Sequence, residues 1–357
     1  MEHVAIDLGG GESQVCIRSE KGEVLLERKV STSSLASLLK RRPSSRVVVE
    51  TCAEAFHVAD AARQLGHEVR VVPATLVRTL GVGARGVKTD ERDARALSEV
   101  STRIDLPSVH VPSQEARERK SLCGMRDGLV ASRTMLINTV RGWMRGRMIK
   151  VRTGKTETFS ARVVQSADKI ELPAYVRRQL QSIEQLTGHI LEADKELEAL
   201  AKKDLTCPRL MTVPGVGPVT AIRFVAALDQ ITRFATVAQV QSYLGLTPGE
   251  NSSSERKRRT GITKAGPPAL RASLVQAAWA ARRARGKHPM VLWSLEVEKR
   301  RGKHVAIVAL ARKLTAILFA IWRDGTLYSP NNQQPAHCTG TEYRPKNAPP
   351  AEAVMRA

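Results

Sequence analysis

Four acidic side chains fall at places where chemistry on phosphates is possible. Asp7 closes an apolar run that begins at Val4, Glu50 ends the β-branched run Val47-Val48-Val49, and Asp90 and Asp93 stand three apart at the opening of a helical stretch. A spacing of three sets both aspartates on one helix face. Where strand ends and a neighbouring helix converge, carboxylates repel one another unless cations join them. Mg2+ suits that role, because it takes carboxylate oxygens and keeps other positions for water and phosphate. A pair of such ions stabilises the attacking and leaving oxygens of phosphoryl transfer. Taken singly, each acid is ordinary: Glu50 can end a strand by chance, and Asp90 can be a helix N-cap.

A second candidate lies far along the chain, in Asn251-Ser252-Ser253-Ser254-Glu255-Arg256-Lys257-Arg258-Arg259. A serine hydroxyl beside a basic run can attack a phosphodiester if a base or metal takes its proton, and the cations can neutralise the charge that develops. By itself a triple serine is more often a flexible loop. Upstream, Met211-Thr212-Val213-Pro214-Gly215-Val216-Gly217-Pro218 reads as a helix-hairpin-helix turn, with Gly215 and Gly217 exposing N–H groups to a DNA phosphate. An ordinary Pro-Gly connection between helices fits it equally well.

The elements that must position these residues change character along the chain. Residues 1–105 alternate strand and helix signals, with strands expected at 4–8, 14–18, 22–30, 46–50 and 68–72 and helices at 53–65 and 90–101, as in an α/β layer fold. Residues 106–204 turn helical, and Val176, Leu180, Ile183, Ile190 and Leu197 follow the spacing of a coiled-coil seam interrupted by Thr187 and Asp194. Pro173 is placed to open a long helix. Residues 205–325 form a mainly helical third zone. Residues 326–357, rich in Asn, Gln and Pro, are expected to be a disordered tail.

The 357 residues carry a net charge of +22, which points to a polyanion as partner. The excess is confined to two blocks. Residues 117–162 hold 12 Lys/Arg against 3 acids, and residues 255–303 hold 14 against 3. Blocks of one sign look like phosphate-tracking surfaces rather than a solvated face. Arg117, Arg119, Arg133, Arg141, Arg145 and Arg147 of the first block, and Arg256, Lys257, Arg258, Arg259, Lys264 and Arg271 of the second, are candidates for contacts to nucleic-acid phosphates. Aromatic residues make up only 4% of the chain, so extended base stacking is expected to contribute less than phosphate contacts. The longest apolar run, 305–322, is broken by Arg312 and Lys313, and no secretion signal is visible, so a cytoplasmic protein without a membrane partner is expected. The five cysteines and eight histidines form no zinc-type spacing.

Lys88-Thr89-Asp90-Glu91-Arg92-Asp93-Ala94, with Ile6-Asp7-Leu8, Val49-Glu50-Thr51 and Gly66-His67-Glu68-Val69, resembles the ribonuclease-H-like (RuvC-like) domain of the insertion-sequence family 110 transposases, more closely their 1111 subgroup. Arg233-Phe234, Tyr243-Leu244-Gly245-Leu246-Thr247-Pro248 and Gly261-Ile262-Thr263-Lys264-Ala265-Gly266 resemble the C-terminal domain of the same family. The resemblance implies an Asp-Glu-Asp-Asp site for Mg2+ at Asp7, Glu50, Asp90 and Asp93 and a nucleophilic serine at Ser253, with the register open to Ser252 and Ser254. It also implies cutting and rejoining of donor and target DNA through a serine-DNA intermediate, at a composite site completed across subunits. A structured bridge RNA as guide, and a homodimer assembling to a tetramer, are implied too. Two departures stand out: Ser254 replaces the glycine usual after the serine, and Pro267 replaces an asparagine. Rival readings are a metal-dependent Holliday-junction-type nuclease, an inactive nucleic-acid-binding relic, and an actin-like kinase. The kinase would need a second phosphate-binding hairpin that is not seen after residue 105.

Overall fold

A computed structural model describes residues 1–79, 90–168, 170–250, 259–284 and 288–330. The chain divides into two compact units, Met1–Ser113 and Gln114–Ala357. In the first, β1 (Glu2–Asp7), β2 (Glu12–Arg18) and β3 (Val24–Ser31) form an antiparallel meander. Next come α1 (Leu35–Lys40), β4 (Ser45–Glu50), α2 (Ala55–Gln64), β5 (Glu68–Val72), α3 (Ala74–Thr79) and α4 (Asp90–Arg103). The sheet order is β3-β2-β1-β4-β5, with β4 parallel to β1 and β5 parallel to β4. This mixed α/β unit is consistent with the ribonuclease-H-like expectation.

Strand alternation sorts the side chains onto two faces. Val4, Ile6, Val15, Ile17, Val47, Val49 and Val71 pack with α1 and α2 on one. Ala5, Val48 and Val72 pack with Leu97 of α4 on the other. Burial on both faces is why β1 and β4 read as unbroken apolar runs. The unit continues past residue 105, because Leu106 and Val111 are buried and the Val109 N–H donates to the Val71 carbonyl at 2.8 Å.

The second unit is mostly helical. Two long helices, α5 (Gln114–Arg145) and α7 (Ala174–Lys203), run antiparallel with α6 (Phe159–Ser166) between them. The expected seam residues Val176, Leu180, Ile183, Ile190 and Leu197 are all buried. The polar interruptions have partners on α5: Arg126 meets Asp194 at 2.5 Å, and Arg133 donates to Thr187 Oγ1 at 3.3 Å. Near the end of α7, Arg119 meets Asp204 at 2.7 Å, with both side chains nearly buried. These partners recur every seventh residue of α5, so the register of the pair is fixed by polar contacts as well as by apolar ones.

Following these are α8 (Cys207–Leu210), α9 (Pro218–Leu228), α10 (Val237–Tyr243), a hairpin of β6 (Pro248–Glu250) and β7 (Arg259–Ile262), α11 (Pro268–Ala284), α12 (Pro289–Arg301) and α13 (Lys303–Asp324). Cys123 of α5 and Leu197 of α7 belong to the same apolar cluster as α9, α11 and α13, so the helical middle and the third zone share one core. Among the described residues one helix, α13, is long and apolar enough to cross a membrane. Nine of its residues are buried, and it packs against α10, α11 and α12 as a core helix. Tyr328, expected in the disordered tail, instead stacks on His288 with ring centroids 5.6 Å apart. The rest of that tail, from residue 331, lies outside the described residues.

Candidate active site and nucleic-acid interface

Register sets two of the acids of the first unit at the ends of neighbouring strands. Asp7 and Glu50 follow the last paired residues of the parallel strands β1 and β4, Ile6 and Val49, and so end neighbouring strands side by side. Alternation puts both on the face of Ala5 and Val48, beneath α4. Helix α4 crosses that face antiparallel to β1. Ser101 Oγ lies 2.8 Å from His3 Nδ1, and Leu97 packs with Ala5. Four helical residues advance about 6 Å and two strand residues about 6.6 Å. The same step repeated therefore carries the helix from Leu97 to Asp93 while the strand goes from Ala5 to Asp7. Asp93 is buried at 1% exposure, and Asp90, one turn further out, is exposed.

Sequence reasoning passed over Lys29. The meander aligns Asp7 with Gln14 and Gln14 with Lys29, so the lysine stands in the same row two strands away. Glu12, bonded to Lys29 Nζ at 2.8 Å, holds that ammonium above its ordinary range, and Asp90 acts in the same direction. The signal was the two-residue period, which becomes usable only once the strand pairing is known.

Four carboxylates are the hard oxygen donors that Mg2+ takes, so the donor chemistry fits. Their arrangement is open: among the described residues no group of three or more His, Cys, Asp or Glu side chains is placed to hold an ion. Lys88 and Thr89 of the acidic motif lie outside the described residues.

The serine candidates Ser252, Ser253 and Ser254, with Arg256, Lys257 and Arg258, also lie outside the described residues. What brackets them is defined: they join β6 to β7, whose pairs are Pro248–Ile262 and Glu250–Arg259. At the hairpin's base the Thr263 N–H donates to Thr247 O at 2.9 Å and the Lys264 N–H to Gly245 O at 3.1 Å. Gly245 (φ 66°) and Gly266 (φ 71°) allow a backbone approach that no side chain would permit: a Cβ would stand 2.1 Å from Ala265 O and 1.9 Å from Tyr243 O, respectively. Arg271 of α11 donates from one Nη1 to Leu244 O at 3.0 Å and Ala265 O at 2.9 Å. The Tyr243–Pro248 and Gly261–Gly266 motifs thus meet as two sides of one clamp, and Arg271 serves that clamp from within the chain. Lys264 is exposed.

Other candidates divide by environment. Arg119 and Arg133 point inward to Asp204 and Thr187, whereas Arg141 and Arg145 are exposed and Arg117 is half-buried. Gly215 is packed against α11, where a Cβ would meet Ala277 O at 2.2 Å, so close helix packing accounts for this glycine. Gly217 is the N-cap of α9, with open space at its Cα.

A family model described as Transposase IS116/IS110/IS902 family matches residues 207–290, and a transposase model of the IS110 DEDD type matches residues 4–149. A probable family 20 transposase of Pseudomonas aeruginosa is 29% identical over 338 residues, covering 92% of this chain and 99% of the relative. The transposase for insertion sequence element IS1111A of Coxiella burnetii is 28% identical, covering 89% of this chain and 88% of its own. Putative transposase y4qE of Sinorhizobium fredii is 30% identical, covering 73% and 71%. With one family model on the acid-bearing unit, the other on the region of the hairpin, and relatives matched along most of their length, the chain belongs to the IS110 family of DNA transposases.

Proposed function

We propose that this transposase cuts and rejoins DNA strands through a covalent serine-DNA intermediate, with Mg2+ at Asp7, Glu50, Asp90 and Asp93 and with a structured bridge RNA pairing to donor and target DNA. What supports the metal half is the register that ends β1 and β4 side by side at Asp7 and Glu50, with α4, which opens at Asp90 and Asp93, packed on the same sheet. Bound there, Mg2+ would stabilise charge on the phosphate oxygens. In the serine half, Ser253 Oγ forms a bond to phosphorus, the bond from phosphorus to the 3′ oxygen breaks, and that oxygen leaves as a hydroxyl after gaining a proton. The free 3′-hydroxyl can later reverse the step, because the phosphodiester energy is kept in the protein-DNA bond. A clamped hairpin base supports this reading, since a nucleophile needs a fixed approach to its target. Exposed Met125 and Met135 on α5 and Leu191 on α7 support a homodimer contact along the helical arm, with dimers joining as a tetramer on DNA in the cytoplasm.

The test is the Ser253→Ala variant incubated with Mg2+ and junction DNA. The expected result is loss of a denaturation-resistant adduct and of strand joining, with Ser252→Ala and Ser254→Ala milder. Peptide mass spectrometry locates the attachment: Ser252 or Ser254 would correct the register. Cleavage by the unaltered protein with no adduct at any of the three would favour a water-using nuclease.

A further inference from the structure

At the tip of the arm, α5 ends and the chain turns through residues 146–155 before α6. Trp143 and Tyr175 meet there edge to face, 6.4 Å between centroids, and Trp143 Nε1–H donates to the Tyr175 hydroxyl at 3.0 Å. The Arg147 guanidinium lies 3.9 Å from the Trp143 ring centroid, and its Nη1 donates to the Trp143 carbonyl at 3.3 Å. That arginine is exposed, yet it is held against the indole by two contacts, so one planar face is already presented outward. Beside it opens a cavity of about 340 Å³, walled by Trp143, Ile149, Ile170 and Pro173, with Asp168 and Glu171 on its lining. This volume is within the range of small-ligand pockets, roughly 300–1,000 Å³. In the chain on either side of Arg147, Arg141, Arg145, Lys150, Arg152 and Lys155 are exposed, and the only acid between residues 141 and 162 is Glu157.

A preorganised Arg-aromatic stack, a largely apolar slot and a basic stretch of chain leading into it make the combination that takes an unpaired nucleotide. Bases stack on aromatic rings and guanidinium planes, and cations track the flanking phosphates. Rim carboxylates can accept hydrogens from a base's amino edge. A purely structural Trp143 would not need an exposed arginine on its face. We propose that the arm tip is a binding site for single-stranded nucleic acid, in which an unpaired base stacks on Arg147 beside Trp143 and enters the adjoining cavity. The site stands apart from the cleavage chemistry proposed above, and binding there does not depend on the serine or the acids.

The test uses the full chain with labelled RNA and DNA single strands and a duplex of the same sequence. Ultraviolet crosslinking followed by mass spectrometry is expected to mark peptides carrying Trp143 or Tyr175 with single strands and not with the duplex. Arg147→Lys keeps the charge and loses the planar surface, so it is expected to weaken single-strand binding at least fivefold while leaving duplex binding and the melting temperature unchanged. Trp143→Leu should weaken single-strand binding likewise, but with a lower melting temperature because it also loses the Tyr175 bond and core contacts, so Arg147→Lys is the variant that separates binding from stability. Tighter binding of RNA would identify a guide strand as the source of the base, and tighter binding of DNA a displaced strand. Wild-type single-strand affinity in both variants, with no crosslink at the tip, would overturn the proposal.

Discussion

Asp93 is the acid whose environment says most. It is 1% exposed in the first turn of α4, the helix packed on β1. Replacing it with Asn keeps the shape and removes one charge. Strand cleavage in Mg2+ is expected to fall by about 100-fold or more, while DNA binding, set by phosphate contacts elsewhere, stays within about twofold. Gel assays of both on one preparation check this. Asp7, Glu50, Asp90 and Asp93 could be singled out as candidates because strand ends and helix starts leave local marks. Lys29 could not, because its place in the row of Asp7 depends on pairing across two strands. The thiols behave differently from the acids. Burial pushes Cys207 well above the ordinary thiol range, with Asp204 adding to it, and burial pushes Cys123 up as well. The thiolate is the reactive form, so iodoacetamide at pH 8 is expected to label both only after unfolding, as mass spectrometry would record.

At the scale of elements, two fastenings decide how the second unit holds its shape. Asp204 joins the end of α7 to α5. Burial alone would push its carboxyl up, but the Cys207 and Thr206 amides, each donating to Oδ1 at 2.7 Å, together with Arg119, hold it below the usual range. A depressed carboxyl stabilises the fold fully above its unfolded value of about 3.9. That contribution is lost as pH falls through the lower folded value. Asp204→Asn should therefore flatten the acid limb of stability. It should also cost about 1–3 kcal/mol at neutral pH, since Arg119 would lose its buried counter-charge and keep only the exposed Glu115; urea melts at several pH values read both. The other fastening is the hairpin base. Gly245→Ala or Gly266→Ala would set a Cβ against backbone oxygen at positive φ, and each is expected to lower the melting temperature and suppress the serine adduct without weakening DNA binding. Resemblance pointed to these motifs in the sequence. Their physical reason, two segments some twenty residues apart closing on each other, appears only when they are folded together.

Across the whole molecule, net charge was read correctly from composition, but its assignment to a surface needed the fold. Counting cannot separate an arginine that tracks phosphate from one that pairs inside. The cross-helix partners of Arg119 and Arg126, Asp204 and Asp194, lie 85 and 68 residues away, well beyond any sequence window. Cys123 and Leu197 look locally like arm residues, yet they pack in the C-terminal core. The two classes of arginine make opposite predictions. Exposed Arg141, Arg145 and Arg152 should contribute to binding through counterion release. Replacing them with Gln should then lower the slope of log affinity against log salt by about 0.7 to 0.9 for each phosphate no longer neutralised, and leave melting unchanged. Inward-facing Arg126 and Arg133 should show the reverse, with lower melting temperature and an unaltered slope in whatever protein remains folded. Fluorescence anisotropy titrations at four or more salt concentrations, paired with thermal melts, separate the two. Equal slopes for wild type and the exposed-arginine variant would remove the arm from the nucleic-acid surface and leave the 255–303 block to carry it.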